Sequence, residues 1–510
     1  MQQRFNKILM AGFALLFAIQ LFAAEPTKIG FVNEITGPQA EAGQYTLNGA
    51  KMALEEINKA GGVLGRPLEL RIEDNQSTNP GTVLAFSKLY SEKDITAVVG
   101  PIRSTQIQAA SPTIAKAGAP TSIKDLAMTK GVRTMGGSHI HRERIPDFDH
   151  LHVERLRAAG AISIGKTTVS EFGWSGVSNS PLTGIPHNPW KQGMNAGASS
   201  AGAGACAAAG IAPIHQGSDG AGSIRMPAGF CGVYGLKPSY GRVPYWPTPA
   251  NSMISHVGPL TRTVADAALM LQAMAGPDDR DMSSLEVEPE NYLAHLDDGI
   301  AGLKVAFSPD LGYLKVDAEV AGPVRQAALA FQQLGCHVEE IKPGWDNPID
   351  MEQIHFAANF ASRLGPLLGE WEDRMDPGLV ALVKHGMQFS AAEYCRLDEQ
   401  RLALYDKVRA LFDRYDLLLT PTLSVAAFPA DHLIPPHWEQ HPWDWLRWAG
   451  FSYPFNLTWL PAATCPCGFT PTGLPVGLQI VAGRHRDLRV LQASRAFEKI
   501  RPWAQHRPPC

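Results

Sequence analysis

The chain has 510 residues, of which 45% are hydrophobic and 18% are charged, so it is long and apolar enough to form two or three domains with buried cores. Its formal net charge of -4 gives no general attraction to nucleic acid or anionic lipid. No basic stripe is interleaved with aromatic residues, and we therefore expect no nucleic-acid partner.

A secretory signal peptide is predicted for residues 1–24. Arg4 and Lys7 precede an apolar run over residues 8–22, and a small Ala-Ala pair follows it. The run is short for a membrane span and no lipobox-like cysteine follows, so we expect no stable membrane anchor. The alternative is a buried N-terminal helix, although the run shows no amphipathic pattern.

The cysteines point to a different compartment from the leader. All 7 lie in the C-terminal part of the chain, their number is odd, and their spacing suggests no disulfide framework. The leader predicts a periplasmic or secreted protein. A leader that is only a fusion remnant would leave the protein in the cytoplasm.

Residues 25–120 alternate between strand and helix patterns. The segments KIGFVNEITG, PLELRIEDN and ITAVVGP read as strands, whereas TLNGAKMALEEINKAGG and NPGTVLAFSKLYSEK read as helices, with a third helix after the last strand. This alternation predicts a doubly wound parallel α/β lobe.

This lobe resembles the first lobe of the periplasmic branched-chain amino-acid and amide binding proteins of ABC importers. The likeness rests on IGFVNEITGPQAEAGQYTLNGAKMALEEINKAGGVLGRPLEL and AVVGPIRSTQIQAASPTIAKAGAP. It implies that Ser104 and Thr105 supply one wall of a ligand cleft. Nothing that matches the second lobe follows Pro120, so the lobe is partial, and we expect a half-cleft to bind ligand poorly.

Residues 121–510 predict a second α/β domain, with a mixed central sheet surrounded by helices. DHLHVERLRAAGAISIGKTTVSEFGW reads as a helix capped by Asp149, followed by a strand and a loop. The stretch 303–413 is mostly helical, and DLLLTPT and GLPVGLQIVAG read as buried strands.

The segment NAGASSAGAGACAAAGIAPIHQGSDGAGSIRMPAGFCGVYGLKPSYGRVP carries the strongest signal for chemistry. It places Ser199 and Ser200 before a helix of small residues, and Ser223 in a Gly-rich turn beside Asp219 and Arg225. Turns of this kind aim successive backbone N–H groups at one point, which suits an oxyanion.

Here the chain resembles the amidase signature family of Ser-Ser-Lys amide hydrolases, over about residues 121–510. GLKPS, HNPW, GPLTRTVADAALML, DLLLTPT and PFNLTWLPAATCPCGF occur in the family's order. The resemblance implies a catalytic triad of Lys124 in SIKD, Ser199 in GASSAG and Ser223 in GSDGAGSIR. It implies an oxyanion hole from the N–H groups of Gly220, Ala221, Gly222 and Ser223, with Ser200, Asp219 and Arg225 in supporting roles.

The implied chemistry suits these residue types. Neutral Lys124 would act as the base through Ser199, and Ser223 would attack the amide carbonyl. A lysine that is neutral near pH 7 needs a pKa about 3 below its usual value, which burial can supply. The reaction needs no cofactor and no metal.

Three small substitutions and one junction depart from the family pattern. Ala198 precedes the bridging serine where the family usually has glycine, and Ala201 and Ala221 likewise replace glycines. The chain also lacks the helices that normally precede the lysine strand, and it looks like two genes joined between Pro120 and Ser122.

Three further patterns carry weaker hypotheses. One is a zinc site from His139, His141, Asp147, Asp149, His150 and His152. A second is an S-x-x-K pair of Ser163 and Lys166, for which a strand end is the alternative. The third is an aromatic cluster of Trp443, Trp445 and Trp448, which predicts either core packing or pocket lining.

The leading functional hypothesis is a serine amidase whose partner is a small or aryl carboxamide, with a pocket built from the variable region around 354–395. A periplasmic amino-acid or amide binding protein and an inactive fusion are the alternatives. The amidotransferase component that delivers ammonia to a misacylated tRNA shares the triad, but it needs partner proteins and fits poorly with a leader. A homodimer is left open.

Overall fold

The computed structural model describes residues 25–63, 65–92, 94–101, 106, 119–249, 253–287 and 289–509. The chain divides into two compact units, Met1–Gly118 and Ala119–Cys510. The predicted signal peptide, the third helix expected before Pro120, and Ser104 and Thr105 lie outside the described residues. Within the described ranges, no helix is both long enough and apolar enough to cross a membrane.

The first unit contains the alternating strands and helices that its sequence predicts. Its strands are β1 (Thr27–Asn33), β2 (Leu68–Asp74) and β3 (Ile95–Val99), and its described helices are α1 (Ala40–Lys59) and α2 (Asn79–Ser91). The strand order is β2-β1-β3, and β1 pairs in parallel with both neighbours. Helix α2 begins where the Thr78 side chain accepts a hydrogen bond from the Gly81 N–H.

The second unit is built on a mixed sheet of ten described strands, as the sequence predicts. In chain order the strands are β4 (Pro120–Lys124), β5 (Ile162–Thr167), β8 (Ile214–Asp219), β9 (Tyr234–Lys237), β10 (His256–Thr261), β11 (Lys304–Phe307), β12 (His337–Glu340), β13 (Leu417–Pro421), β14 (Ala462–Phe469) and β15 (Pro475–Ala482). They lie in the order β12-β11-β13-β15-β14-β9-β10-β8-β4-β5. A separate hairpin pairs β6 (His187–Asn188) with β7 (Lys191–Asn195).

Helices surround this sheet. They are α3 (Leu151–Ala158), α4 (Ala201–Ala209), α5 (Arg225–Cys231), α6 (Val264–Met274), α7 (Ala318–Ala330), α8 (Ile349–Leu364), α9 (Leu368–Trp371), α10 (Pro377–Gly386), α11 (Ala391–Phe412), α12 (Pro454–Leu457) and α13 (Asp487–Ile500). The region 303–413 is mostly helical, although it also contains β11 and β12.

Two local features differ in how well the sequence predicts them. The apolar runs of β13 and β15 are strands, and every residue of both is buried. The cap of α3, by contrast, is not Asp149: the N-cap residue is His150. Asp149 Oδ1 instead accepts the Lys130 N–H at 2.7 Å, because this carboxylate faces a neighbouring loop.

Strand pairing brings the chemical motifs to one edge of the sheet. Strand β4 runs parallel to β8, and these strands end at Lys124 and Asp219. Carboxyl ends of adjacent parallel strands meet at the same edge, which is where α/β folds bind ligands. The small residues of α4 allow close packing on α5, since a Cβ at Gly204 would lie 2.9 Å from Pro227 Cβ.

Candidate active site

Lys124 is fully buried at the end of β4, with an exposed fraction of 0%. Its Nζ lies 2.8 Å from Ser199 Oγ, 2.8 Å from Ser200 Oγ and 3.0 Å from the Ser218 carbonyl oxygen. Burial lowers the pKa of Lys124 to about 7, although the negative charge of Asp219 acts in the opposite direction. This amine can therefore gain and lose a proton near neutral pH.

The hydrogen bonds around Lys124 distinguish the two adjacent serines. The Ser200 hydroxyl lies 3.2 Å from the Ser218 oxygen, to which it donates, and it accepts from the Ser218 N–H at 3.3 Å. Its proton is thus used, and Ser200 accepts from Lys124. A neutral amine has two N–H donors and one lone pair. In its neutral form, Lys124 can direct its two N–H donors at Ser200 and Ser218 and its lone pair at the Ser199 hydroxyl.

Ser199 occupies the position between the lysine and the open space of the site. The peptide bond between Ala198 and Ser199 is cis, and both residues are buried. Ser199 lines the main cavity, whereas Ser200 is not among its lining residues. The Ser200 N–H donates to the Ser223 carbonyl oxygen at 3.3 Å, which connects the two serine-bearing segments.

Ser223 lies in a turn organised by a buried ion pair. Asp219 and Arg225, both 0% exposed, are joined at 2.9 Å. Asp219 also accepts the N–H groups of Gly222 at 2.7 Å and Ile224 at 3.1 Å. Burial alone would raise the pKa of Asp219, but the charge and hydrogen bonds of Arg225 hold it well below its usual range. The ion pair therefore fixes the backbone on both sides of Ser223.

The expected oxyanion hole needs one correction. The Gly222 N–H already donates to Asp219, so it is not available to a substrate oxygen. Gly222 has a φ of 118°, and a Cβ there would lie 2.6 Å from Ser452 Oγ, which explains why glycine occupies this position. Within the described chain, the N–H groups of Gly220, Ala221 and Ser223 have no protein acceptor.

A cavity of about 510 Å³ opens in front of these groups, a volume typical of small-molecule sites. Ser199, Ser218, Gly220, Ala221 and Ser223 form one part of its lining. The remaining walls are mainly apolar and aromatic, and they include Leu126, Met128, Phe148, Phe172, Tyr245, Phe356, Phe360, Leu364 and Leu367.

The sequence located only part of this wall. Phe356 and Phe360 belong to the variable region from which a pocket is expected, but residues 126–148 and 245–249 also contribute. Residues 245–249 carry no catalytic motif, so no sequence signal identified them. The aromatic cluster of Trp443, Trp445 and Trp448 packs in the hydrophobic core and is not among the described cavity residues.

The zinc hypothesis is wrong for the described residues, among which no group of three or more His, Cys, Asp or Glu side chains can hold a metal ion. The His150 and His152 rings lie 5.5 Å apart, and both contact Tyr245 edge-on. Burial, with nearby positive charge, lowers the pKa of His150 to about 3. These histidines form an aromatic packing cluster.

Ser163 and Lys166, the S-x-x-K pair, are not arranged for catalysis. Ser163 is exposed on β5. Lys166 Nζ donates to Thr129 Oγ1 at 2.8 Å and to the Ala127 carbonyl oxygen. Ser163 and Lys166 therefore belong to a strand end, the alternative that the sequence left open.

Comparison with known proteins identifies both parts of the chain. The amidase family profile matches residues 103–491, and a periplasmic binding protein profile matches residues 26–133, so both resemblances are confirmed. An acylamidase of Rhodococcus erythropolis is 40% identical over 401 residues, covering 77% of this chain and 83% of the relative. The glutamyl-tRNA(Gln) amidotransferase A component of Synechococcus sp. (strain RCC307) is 35% identical, covering 77% of this chain and 85% of the relative.

Solved structures agree with this assignment. A bacterial aryl acylamidase of the amidase signature family superposes with a TM-score of 0.71 at 29% identity, covering 84% of this chain and 94% of that one. Because the family profile spans more than half of the sequence, the chain belongs to the amidase family and is a hydrolase that acts on amides.

Proposed function

We propose that this amidase cleaves the C–N bond of a small carboxamide through Lys124, Ser199 and Ser223, by way of an acyl-enzyme. The observation that carries the proposal is the 2.8 Å contact between the buried Lys124 Nζ and Ser199 Oγ. The lysine lone pair is free only in that direction, since Ser200 and Ser218 take its N–H donors.

In the first step, Ser223 Oγ forms a bond to the carbonyl carbon of the amide. The Ser223 proton passes to Ser199, whose own proton passes to Lys124, so the lysine becomes an ammonium. The described structure contains no hydrogen bond between Ser199 Oγ and Ser223 Oγ, and this mechanism requires the two hydroxyls to approach when substrate binds. The N–H groups of Gly220, Ala221 and Ser223 stabilise the oxyanion.

In the second step, the tetrahedral intermediate collapses and the C–N bond breaks. The leaving nitrogen takes the Ser199 proton, and Lys124 restores that proton and returns to its neutral form. A water molecule then attacks the ester on Ser223 and passes a proton through Ser199 to Lys124, and Lys124 returns that proton through Ser199 to Ser223 Oγ as the ester bond breaks. The products are a carboxylic acid and an amine, and Ser223 is free again.

The names of two similar proteins favour an acyl amide of an aromatic or small amine as substrate. One relative is an acylamidase and one solved structure is an aryl acylamidase. The cavity of about 510 Å³, lined by several phenylalanines, suits a ligand of that size and character.

The direct test is covalent labelling with a fluorophosphonate followed by intact-mass measurement. Wild-type protein should gain one adduct, and Ser223→Ala should gain none. Ser255→Ala is the matched control, because Ser255 also lines the cavity but has no proposed role in the reaction. An adduct on Ser223→Ala, or no adduct on folded wild type, would contradict the triad.

A second function is favoured by the periplasmic binding protein match over residues 26–133. We propose weak amino-acid or amide binding by the first unit, measured by calorimetry with Ser223→Ala, which removes turnover.

We also propose that residues 1–24 direct export, in which case cell fractionation should find the protein in the periplasm or medium. Recovery from the cytoplasm alone would count against export.

A further inference from the structure

Both charged residues in the described lining of the active-site cavity are arginines. Its described lining includes Arg144 and Arg363 but no aspartate or glutamate. Arginine side chains stay protonated at any working pH, so the cavity presents fixed positive charge to a substrate. A site for a neutral amide alone would not need this charge.

Arg144 is half-buried, and only one of its guanidinium nitrogens has a hydrogen-bond partner among the described residues. Its Nε donates to the Thr134 carbonyl oxygen at 2.8 Å. Among the described residues, neither of its Nη atoms forms a hydrogen bond or an ion pair. Asp125 is the carboxylate whose charge acts on it, but the Asp125 oxygens accept the Met135 N–H at 3.2 and 3.1 Å.

One wall of the cavity runs from Arg144 past Leu126 to Ser199. Gly136 contacts this wall: a Cβ there would lie 3.9 Å from Arg144 Nη2 and 3.7 Å from both Leu126 and Phe172. A Cβ at Gly173 would lie 2.8 Å from Leu126 and 3.1 Å from Ser199 Oγ. Leu126 therefore lies between the guanidinium and Ser199 along this wall, and Arg144 and Ser199 line the same cavity.

The other groups at this wall do not neutralise or replace the arginines. His141 and His150 also line the cavity, and burial lowers the pKa of both side chains, so both are neutral at pH 7. Arg363 is exposed, and its Nη2 donates to the Pro249 carbonyl oxygen at 2.8 Å. Arg363 therefore contributes less than Arg144 to the positive charge that a ligand in the cavity would contact.

We propose that the natural substrate is an amide that carries a carboxylate, and that Arg144 binds this carboxylate while Ser223 attacks the amide. A guanidinium with both Nη atoms free matches the planar, two-oxygen geometry of a carboxylate. This proposal rests on the proposed function, which places the amide at Ser223. It adds that the rest of the substrate carries a negative charge.

Ligand binding by Ser223→Ala tests the proposal without turnover. The probes are 4-acetamidobenzoate and its methyl ester, which differ in charge and hardly in shape, and calorimetry measures both dissociation constants. The acid should bind about tenfold tighter or more, as a charge-assisted bidentate bond predicts. Equal affinity, tighter binding of the ester, or no binding of the acid would overturn the proposal.

Variants in the same background assign the effect to Arg144. Arg144→Gln should bring the two dissociation constants together, and Arg144→Lys should restore part of the difference. Arg142→Gln is the matched control, because Arg142 is exposed, pairs with Glu143 at 3.7 Å and is not a described lining residue. A preference that survives Arg144→Gln but disappears in Arg363→Gln would overturn the assignment to Arg144.

The proposal and the catalytic mechanism can fail separately. Fluorophosphonate labelling of the wild type reports on the nucleophile and does not depend on a carboxylate. Binding to Ser223→Ala reports on the arginine and does not depend on the nucleophile. If the protein is labelled but shows no preference for the acid, only the proposed carboxylate recognition is refuted. If it prefers the acid but is not labelled, only the proposed triad is refuted.

Discussion

Lys124 Nζ lies 2.8 Å from Ser199 Oγ, and both side chains are buried, at 0% and 3% exposure. Burial lowers the pKa of Lys124 to about 7, because the charged form has lost its hydration. Burial thus leaves this lysine able to lose its proton near neutral pH, as the proposed base must.

The pKa of Lys124 predicts the pH dependence of the acylation step. Only the neutral amine can accept a proton, so the rate of fluorophosphonate labelling should rise with pH through about 7 and then level off. Lys124→Met should lower the rate by about 100- to 10,000-fold and remove the pH dependence in this range. Labelling reactions quenched at set times between pH 5 and 9 measure both effects. A wild-type rate that falls as pH rises would contradict a neutral lysine base.

The adjacent serines predict unequal effects of matched alanine substitutions. Ser199→Ala removes the hydroxyl that faces the lysine lone pair, and we expect a loss of about 100- to 10,000-fold in the labelling rate. Ser200→Ala removes one hydrogen bond from Lys124, and we expect a loss of about tenfold or less. Circular dichroism confirms that both variants are folded. A larger loss for Ser200→Ala would reverse the roles of the two serines.

Asp219→Asn should affect stability and pH dependence together. It leaves Arg225 as a buried charge without its ion-pair partner, which should cost about 3 to 5 kcal/mol in the free energy of unfolding. The Asp219 charge also raises the pKa of Lys124, so its removal should move the rise in labelling rate to lower pH. Denaturant unfolding and the labelling profile measure the two effects. A rise that moves to higher pH would contradict the electrostatic role.

The division into two compact units predicts two unfolding transitions in calorimetry. The first unit should unfold at lower temperature, because its described core cluster is small, with Val32, Ala85, Phe86 and Leu89 as its buried members. Leu89→Ala and Leu478→Ala are matched variants, since each leucine is 0% exposed in its own unit. Each variant should lower the free energy of unfolding of its own unit by about 2 to 5 kcal/mol, and so lower the midpoint temperature of one transition only. A single transition that both variants shift would refute independent units.

Much of the fold could be predicted from the sequence because the relevant signals are local. Apolar runs such as those of β13 and β15 define buried strands, and alternating strand and helix patterns define the first unit. The order of motifs around Lys124, Ser199 and Ser223 likewise reads directly from the chain. Even so, the cap of α3 lies one residue beyond the predicted position, because the Asp149 carboxylate accepts from the Lys130 N–H of a separate loop and from the Arg157 guanidinium.

The sequence by itself determined the family, the fold class and the candidate nucleophile, because these depend on patterns within continuous segments. Only the tertiary structure decided the direction of each hydrogen bond. It directs the Gly222 N–H to Asp219 and the Ser200 hydroxyl to Ser218, and it places Lys124 Nζ 2.8 Å from Ser199 Oγ. It also places Arg144 in the cavity without a carboxylate partner among the described residues. Several of these relationships join residues that are well separated in the chain, such as Lys124 and Ser199, and the pairing of β4 with β8 brings Lys124 beside Ser218.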